Sequence, residues 1–237
     1  MFRFDDGYAT QYTEAFSYMR RYGMRGTLFQ IGGWIDTAGS PARATHQQIQ
    51  EMQSAGWTIG NHTRSSADLT AEADQAAQEA QLFNGKADLD AWGLNGGLYV
   101  AYPQGRWNAD TMTSMANFGA RLGWTTYEAS YSTAGGTQYP PTVLPWIHPY
   151  NEIGIINVTT SLSLATLKGY IDKAIAGGFV ISPLFHGIGT GGSNWTVADF
   201  RALVDYVYSK RAYITPITID DYYRASLGSI SVPELVA

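Results

Sequence analysis

The chain contains no cysteine, which excludes disulfides, thiolate metal sites and thiol nucleophiles. Charged residues are also scarce, because Asp, Glu, Lys and Arg make up only 15% of the 237 residues, well below the roughly 25% of an average soluble domain. The surface must therefore draw its polarity from Ser, Thr, Asn, Gln, Tyr and Gly. Such a surface suits a protein that handles neutral polar polymers.

No basic stripe runs along the sequence. The 15 Lys and Arg residues are outnumbered by 20 acidic residues, and only Arg20 with Arg21 and Lys210 with Arg211 are adjacent. A row of phosphates would not be neutralised, so nucleic acid is not an expected partner. No apolar run approaches the ~18 residues of a membrane-spanning helix. No signal peptide opens the chain, and the abrupt start indicates a domain excised from a longer chain.

Short apolar runs alternate with longer segments of helical periodicity. Predicted strands cover 1–4, 27–31, 57–59, 98–101, 121–127, 153–158, 179–185 and 213–216. Predicted helices cover 10–22, 45–54, 71–89, 109–118, 164–176, 197–210 and 220–226, and a loop rich in Gly, Pro and Thr covers 130–149. This alternation predicts an α/β fold, namely a single distorted parallel (β/α) barrel of about seven strands formed by residues 1–237. An open doubly wound sheet is the alternative.

Polar side chains follow four of the predicted strands. Asp5 and Asp6 end the first strand, His62 follows the third, the segment 102–105 follows the fourth, and His186 ends the seventh. In a parallel barrel these ends share one face, so two carboxylates and two imidazoles are expected to converge there. Neighbouring residues of an extended strand face different directions, so one Asp is free to bind a metal while the other serves as a base. The alternatives are a solvated turn at the Asp pair and structural, hydrogen-bonded histidines.

Four segments resemble, in order, the motifs of the NodB-like polysaccharide deacetylases, carbohydrate esterase family 4. Residues 2–8 (FRFDDGY) resemble the T-F-D-D-G motif, and residues 60–70 (GNHTRSSADLT) resemble H-[ST]-x-x-H followed by P-D-L-T. Residues 101–105 (AYPQG) are similar to R-x-P-x-G, and residues 184–186 (LFH) are similar to L-x-H. The resemblance spans residues 2–186.

The resemblance implies a hydrolase that removes N- or O-linked acetyl groups from a carbohydrate polymer outside the cytoplasm. It implies that Asp5 is the general base and His186 the general acid. Asp6 and His62 would hold a divalent metal, zinc first and cobalt or nickel as alternatives. The backbone N–H near Tyr102 would complete the oxyanion hole. The chemistry is coherent, because a Lewis acid lowers the pKa of bound water and an oxyanion needs a cation and an N–H donor.

Two positions depart from the family pattern. Ser66 stands where the second metal-binding histidine is expected, and a neutral hydroxyl is a poor zinc ligand. Asp68 is a candidate third ligand, as are His46 and His148 from loops, and a harder ion with more oxygen ligands is an alternative to zinc.

The second departure is Ala101, where the family carries an arginine that pairs with the catalytic Asp. Arg3 and Arg106 are candidates to supply that charge. Alternation places Arg3 and Asp5 on the same side of the first strand, which favours Arg3 as the residue that tunes the base.

Two aromatic residues near the site, Tyr102 and Trp107, are predicted to contact sugar rings. Two other functions stay open at this point. One is a metal-poor barrel that has lost turnover and binds glycans, for which Ser66 is the motivating feature. The other is a different polysaccharide-cleaving reaction on the same barrel. The sequence gives no oligomeric state.

Overall fold

The computed structural model describes residues 1–39, 41–126, 152–154, 156–178, 180–189 and 194–227. The predicted loop at 130–149 lies outside these residues. The described strands are β1 (Arg3–Asp5), β2 (Thr27–Gln30), β3 (Thr58–Asn61), β4 (Gly96–Ala101), β5 (Leu122–Thr126), β6 (Glu152–Gly154), β7 (Ile156–Asn157) and β8 (Pro183–Phe185).

The strands form one sheet in the order β6-β5-β4-β3-β2-β1-β8-β7, and every pairing between them is parallel. β6 and β7 lie at opposite ends of this order, although a single residue separates them in the chain. Because residues 154 and 156 are only two positions apart in the chain, the two edges of the sheet lie close together, and the strands occupy seven positions around a ring. The predicted distorted (β/α) barrel of about seven strands is confirmed.

Helices connect and cover the strands. Between β1 and β2 the chain is π-helical over Gln11–Phe16, α-helical over Ser17–Met19 (α1) and 3-10 helical over Arg20–Tyr22. The other α-helices are α2 (His46–Ser54), α3 (Gln75–Ala91), α4 (Ala109–Phe118), α5 (Leu164–Gly177), α6 (Val197–Ser209) and α7 (Ile219–Ser226). In the described residues, no helix is both long and apolar enough to cross a membrane.

Local sequence signals explain where several helices begin. Thr45 starts α2 with a capping box, in which its side chain accepts from the backbone of Gln48 and the Gln48 side chain accepts from the backbone of Thr45. Thr218 and Asp221 form the same reciprocal arrangement at the start of α7.

The strand predicted at 213–216 is wrong. These residues do not pair with the sheet, and Tyr213 is 75% exposed.

The side chains of residues 2–5, which include β1, alternate between two environments. Phe2 and Phe4 face the helices and pack against Phe185 and Phe200 in the largest hydrophobic cluster. Arg3 and Asp5 face the other side of the sheet, where the Arg3 guanidinium lies 5.2 Å from the centre of the Phe29 ring. Apolar packing on one face of β1 thus fixes the position of two charges on the other.

Phe200 on α6 tests this packing. It is fully buried, and its ring lies 5.2–6.3 Å from the rings of Phe2, Phe4 and Phe185. Phe200→Ala should lower the free energy of unfolding by about 3–5 kcal/mol, because it removes a buried ring and leaves a cavity. Urea denaturation measures the change. Tyr213→Ala, at an exposed position, should change the same quantity by less than about 0.5 kcal/mol; equal losses in both variants would contradict the packing.

Candidate active site at the carboxyl ends of the strands

β1 delivers a buried ion pair to the interior of the barrel. Arg3 and Asp5 are 1% and 2% exposed. The guanidinium of Arg3 donates from Nε to Asp5 Oδ1 at 2.9 Å and from Nη2 to Asp5 Oδ2 at 2.6 Å. Its remaining nitrogen, Nη1, donates to the carbonyl of Thr125 on β5 at 2.8 Å. The pair is therefore bidentate, and Arg3 balances the charge of the buried carboxylate.

Arg106, the other candidate partner for Asp5, lies elsewhere. Its Nη1 donates to Asp68 Oδ2 at 2.7 Å. Ala101 is buried, and its carbonyl accepts a hydrogen bond from the His62 ring. The cation beside Asp5 thus comes from β1 itself.

Asp6 leaves the strand in a left-handed conformation with φ of 77°. Its N–H donates to the carbonyl of Phe29 at 3.0 Å, which anchors the turn. Gly7 follows at φ of 80°, where a Cβ would lie 2.0 Å from the Gln30 side-chain oxygen, so the position requires glycine. The turn separates the two neighbouring carboxylates, with Asp5 directed to Arg3 and Asp6 to His62.

His62 follows β3 and is buried. Its Nδ1 lies 2.8 Å from the carbonyl of Ala101; since a carbonyl only accepts, Nδ1 carries a proton. The other ring nitrogen, Nε2, lies 3.4 Å from Asp6 Oδ1. Burial alone would lower the pKa of His62, but the hydrogen bond to Asp6 and the charges of Asp5 and Asp6 outweigh burial and raise it.

The pKa of Asp6 responds to the same neighbours. Burial would raise it, but the hydrogen bond and positive charge of His62, the charge of His186 and a hydrogen bond with Tyr8 together lower it to about 2. Asp6 is consequently ionised at neutral pH. The backbone of His186 lies next to that of Asp5, because both carbonyls accept a hydrogen bond from the side-chain amide of Gln11.

The Asp6–His62 pair fits a divalent metal of the zinc type. Two ligands that are each about 2.0–2.1 Å from a tetrahedral zinc lie about 3.4 Å apart, which is the separation of Asp6 Oδ1 and His62 Nε2. The hydrogen bond from Nδ1 to the Ala101 carbonyl orients the ring as in metal-binding histidines. Within the described ranges, however, no third His, Asp or Glu joins the pair.

The four candidate third ligands differ in their surroundings. Asp68 accepts from the backbone and hydroxyl of Thr70 and from Arg106, so its carboxylate is already bonded. His46 pairs with Asp36 and stacks on Trp92. Ser66 lies at φ of 61°, and its N–H donates to the Thr63 hydroxyl at 3.1 Å. His148 lies outside the described residues.

The segment after β4 differs from the prediction at Tyr102. Tyr102 is fully buried, and its ring packs in a cluster with Leu69, Leu82 and Met115, so it is not exposed to stack on a sugar. Its N–H donates to the carbonyl of Trp124 at 2.9 Å and is therefore not available to an oxyanion. Trp107 packs partly buried against the same cluster, and its contact with sugar stays a prediction.

Gln104 lies in the predicted segment 102–105, and Gln11 is a residue beside Asp5 and His186 that sequence reasoning missed. The Gln104 N–H donates to no acceptor in the part of the chain that the structure describes, and the residue has a φ of 57°. The fully buried Gln11 donates from Nε2 to the carbonyls of both Asp5 and His186. The sequence did contain a signal for Gln11. It lies four positions before Ala15, so a helix places this polar residue on the same face as an apolar one.

Solved structures of similar fold cover most of the chain. A provisionally named polysaccharide deacetylase from Mycobacterium smegmatis has a TM-score of 0.64 at 14% identity, covering 93% of this chain and 78% of that one. The Xyl-CE4 domain of a multidomain xylanase, from the hindgut metagenome of Trinervitermes trinervoides, has a TM-score of 0.59 at 15% identity and covers 96% and 89%. At such identities the likeness concerns the fold.

Sequence comparison extends the likeness beyond the fold. YxkH of Bacillus subtilis (strain 168), a provisionally named polysaccharide deacetylase, is 31% identical over 133 residues, which are 56% of this chain and 46% of YxkH. The chain spans about half the length of the curated relatives it matches. The sequence model of the polysaccharide deacetylase family matches residues 1–123, just over half of the chain. The chain therefore belongs to the polysaccharide deacetylase family.

Proposed function

We propose that the chain hydrolyses N- or O-linked acetyl groups of a polysaccharide or oligosaccharide, with a divalent metal held by Asp6 and His62. One observation carries the proposal: an ionised carboxylate and an imidazole lie 3.4 Å apart beside a second, buried carboxylate. Hydrolysis of an acyl group needs an activated water and two proton transfers, and these groups can supply them. We also propose that the protein acts outside the cytoplasm, which is what the resemblance to the family implies.

The metal would polarise the acetyl carbonyl and lower the pKa of water at the site. Asp5 accepts the proton of the attacking water while Arg3 holds its carboxylate in one orientation. The water oxygen bonds to the carbonyl carbon, and the Gln104 N–H is the available backbone donor to the oxyanion. His186 then donates a proton to the leaving nitrogen or oxygen as its bond to the carbonyl carbon breaks. The products are acetate and a free amine or hydroxyl.

A second candidate function rests on Ser66. Since no third His, Asp or Glu joins Asp6 and His62 among the described residues, the metal would be held more weakly than by three such ligands. A barrel that binds glycans without turnover is the alternative. Release of acetate separates the two functions, and new reducing ends would indicate chain cleavage.

The catalytic roles are tested by removing the proton-transfer groups. Asp5→Asn and His186→Ala should each lower kcat for acetate release from acetylated xylo- and chito-oligosaccharides by about 10²–10⁴-fold, the usual contribution of general acid–base catalysis. Asp36→Asn, at an exposed carboxylate that pairs with His46, is the matched control and should keep wild-type activity. Undiminished acetate release by either site variant would refute the assigned roles.

The ion pair can be tested through stability. Arg3→Met leaves Asp5 buried without a cation and should lower the free energy of unfolding at pH 7 by about 3–5 kcal/mol. The double variant Arg3→Met/Asp5→Asn should be more stable than Arg3→Met alone, because it also removes the uncompensated charge. Urea denaturation of the four proteins completes a double-mutant cycle. Strictly additive losses would show that the two side chains do not interact.

Ser66→His should restore a third metal ligand. Its left-handed backbone is one that histidine adopts more readily than most residues. We expect zinc to bind about tenfold more tightly or better, because losing even a hydrogen-bond partner of a metal ligand changes metal affinity by this factor. Competition with a chelator measures the affinity. Ser65→His, at the adjacent exposed position, controls for an added imidazole. Equal affinities of the two variants would exclude position 66 from the metal site.

A further inference from the structure

Gln11 lies on the seam between β1 and β8. The two strands pair in parallel so that Arg3 lies opposite Leu184 and Phe4 opposite Phe185. Continued by one residue, this register places Asp5 opposite His186. The described ladder between the strands ends before that point, so the carbonyls of these two residues need other donors.

The side-chain amide of Gln11 supplies those donors. Its Nε2 donates to the Asp5 carbonyl at 2.5 Å and to the His186 carbonyl at 2.9 Å. An amide nitrogen has two N–H groups, so it can serve both acceptors at once. Gln11 is fully buried, and its Oε1 has no hydrogen-bond partner in the described part of the molecule. Burying an oxygen without a hydrogen-bond partner destabilises the fold. The two hydrogen bonds donated by Nε2 offset this cost.

Thr10 adds a third bond across the same seam. Its hydroxyl accepts from the N–H of Ile188, two residues beyond His186, at 3.0 Å. Gln11 also opens the π-helical segment Gln11–Phe16, a widened helix geometry that is frequent at functional sites. Two consecutive residues thus hold the end of β1 and the start of the loop after β8.

We propose that Gln11, assisted by Thr10, is a positioning residue that fixes the distance between Asp5 and His186. The inference rests on the proposed function, in which these residues are base and acid. Gln11 contacts both through the backbone, not through their side chains. It therefore sets where the two side chains start, and a loss of the bonds displaces the acid relative to the base.

Gln11→Leu removes both donors while keeping a buried side chain of similar size. For an acetylated oligosaccharide, kcat should fall about 10- to 100-fold, the scale of a misplacement of about 1 Å, with KM within about twofold of wild type. For 4-nitrophenyl acetate the loss should be several times smaller, because its leaving group departs without protonation. Thr10→Val, which removes the acceptor for Ile188, should produce a weaker loss with the same substrate dependence.

Gln78→Leu is the matched control. Gln78 is also buried, at 3% exposure, and bonds the hydroxyl of Ser114, away from the seam. The Gln78→Leu variant should have a lower free energy of unfolding. Any loss of kcat should be the same for the acetylated oligosaccharide and for 4-nitrophenyl acetate. The proposal is overturned if Gln11→Leu keeps wild-type kcat, or if Gln11→Leu and Gln78→Leu reduce both activities in equal proportion.

Hydrogen–deuterium exchange tests the seam without turnover. Residues 186–189 should exchange faster in Gln11→Leu than in wild type and should be unchanged in Gln78→Leu; unchanged exchange in both would overturn the proposal. If the wild-type protein releases no acetate from any substrate, the proposed function fails, and the exchange result still decides whether Gln11 holds the two strand ends together. If Gln11→Leu does not fold, Thr10→Val carries both measurements.

Discussion

The buried ion pair of Arg3 and Asp5 constrains the whole interior of the barrel. Each charge on its own would be very costly in a site that is almost closed to water, and the pair is tolerated because both carboxylate oxygens are bonded to the guanidinium. The third nitrogen of Arg3 reaches the Thr125 carbonyl on β5, and three strands separate β5 from β1 in the sheet. Arg3 therefore ties opposite walls of the ring together and orients Asp5 at the same time.

Most of the strained backbone lies in the loops that follow the strands. Five non-glycine residues among those described have positive φ, and four of them, Asp6, Thr63, Ser66 and Gln104, lie in the loops after β1, β3 and β4. Such conformations cost about 1–3 kcal/mol each and persist where surrounding bonds impose them. The bond from Asp6 N–H to the Phe29 carbonyl and the bond from Thr63 N–H to the Asn61 side chain are of this kind. The site is thus shaped by turns that the rest of the barrel stabilises.

Periodicity and alternation predict the parts of the molecule that depend on neighbours in sequence. The barrel follows from alternating strands and helices, and the side shared by Arg3 and Asp5 follows from the two-residue period of a strand. Tyr102 could not be placed in this way, because its burial depends on Leu69, Leu82 and Met115, which are distant in sequence. The same holds for Asp68, whose partner Arg106 is 38 residues away. The strand predicted at 213–216 was wrong for a related reason. An apolar run forms a strand only if the fold places the edge of a sheet beside it, and the run itself does not show this.

Closure of the ring is itself a requirement of the proposed chemistry. The family match ends at residue 123 and contains Asp5, Asp6 and His62 but not His186. β8 pairs directly with β1, while β6 pairs with β5 and β7 pairs with β8. Without these later strands one edge of β1 would be unpaired, and the carbonyl of Asp5 would lose the neighbour with which it shares Gln11. The first half of the barrel carries the proposed base and the two proposed metal ligands, and the later strands bring the proposed acid, His186, to the same seam.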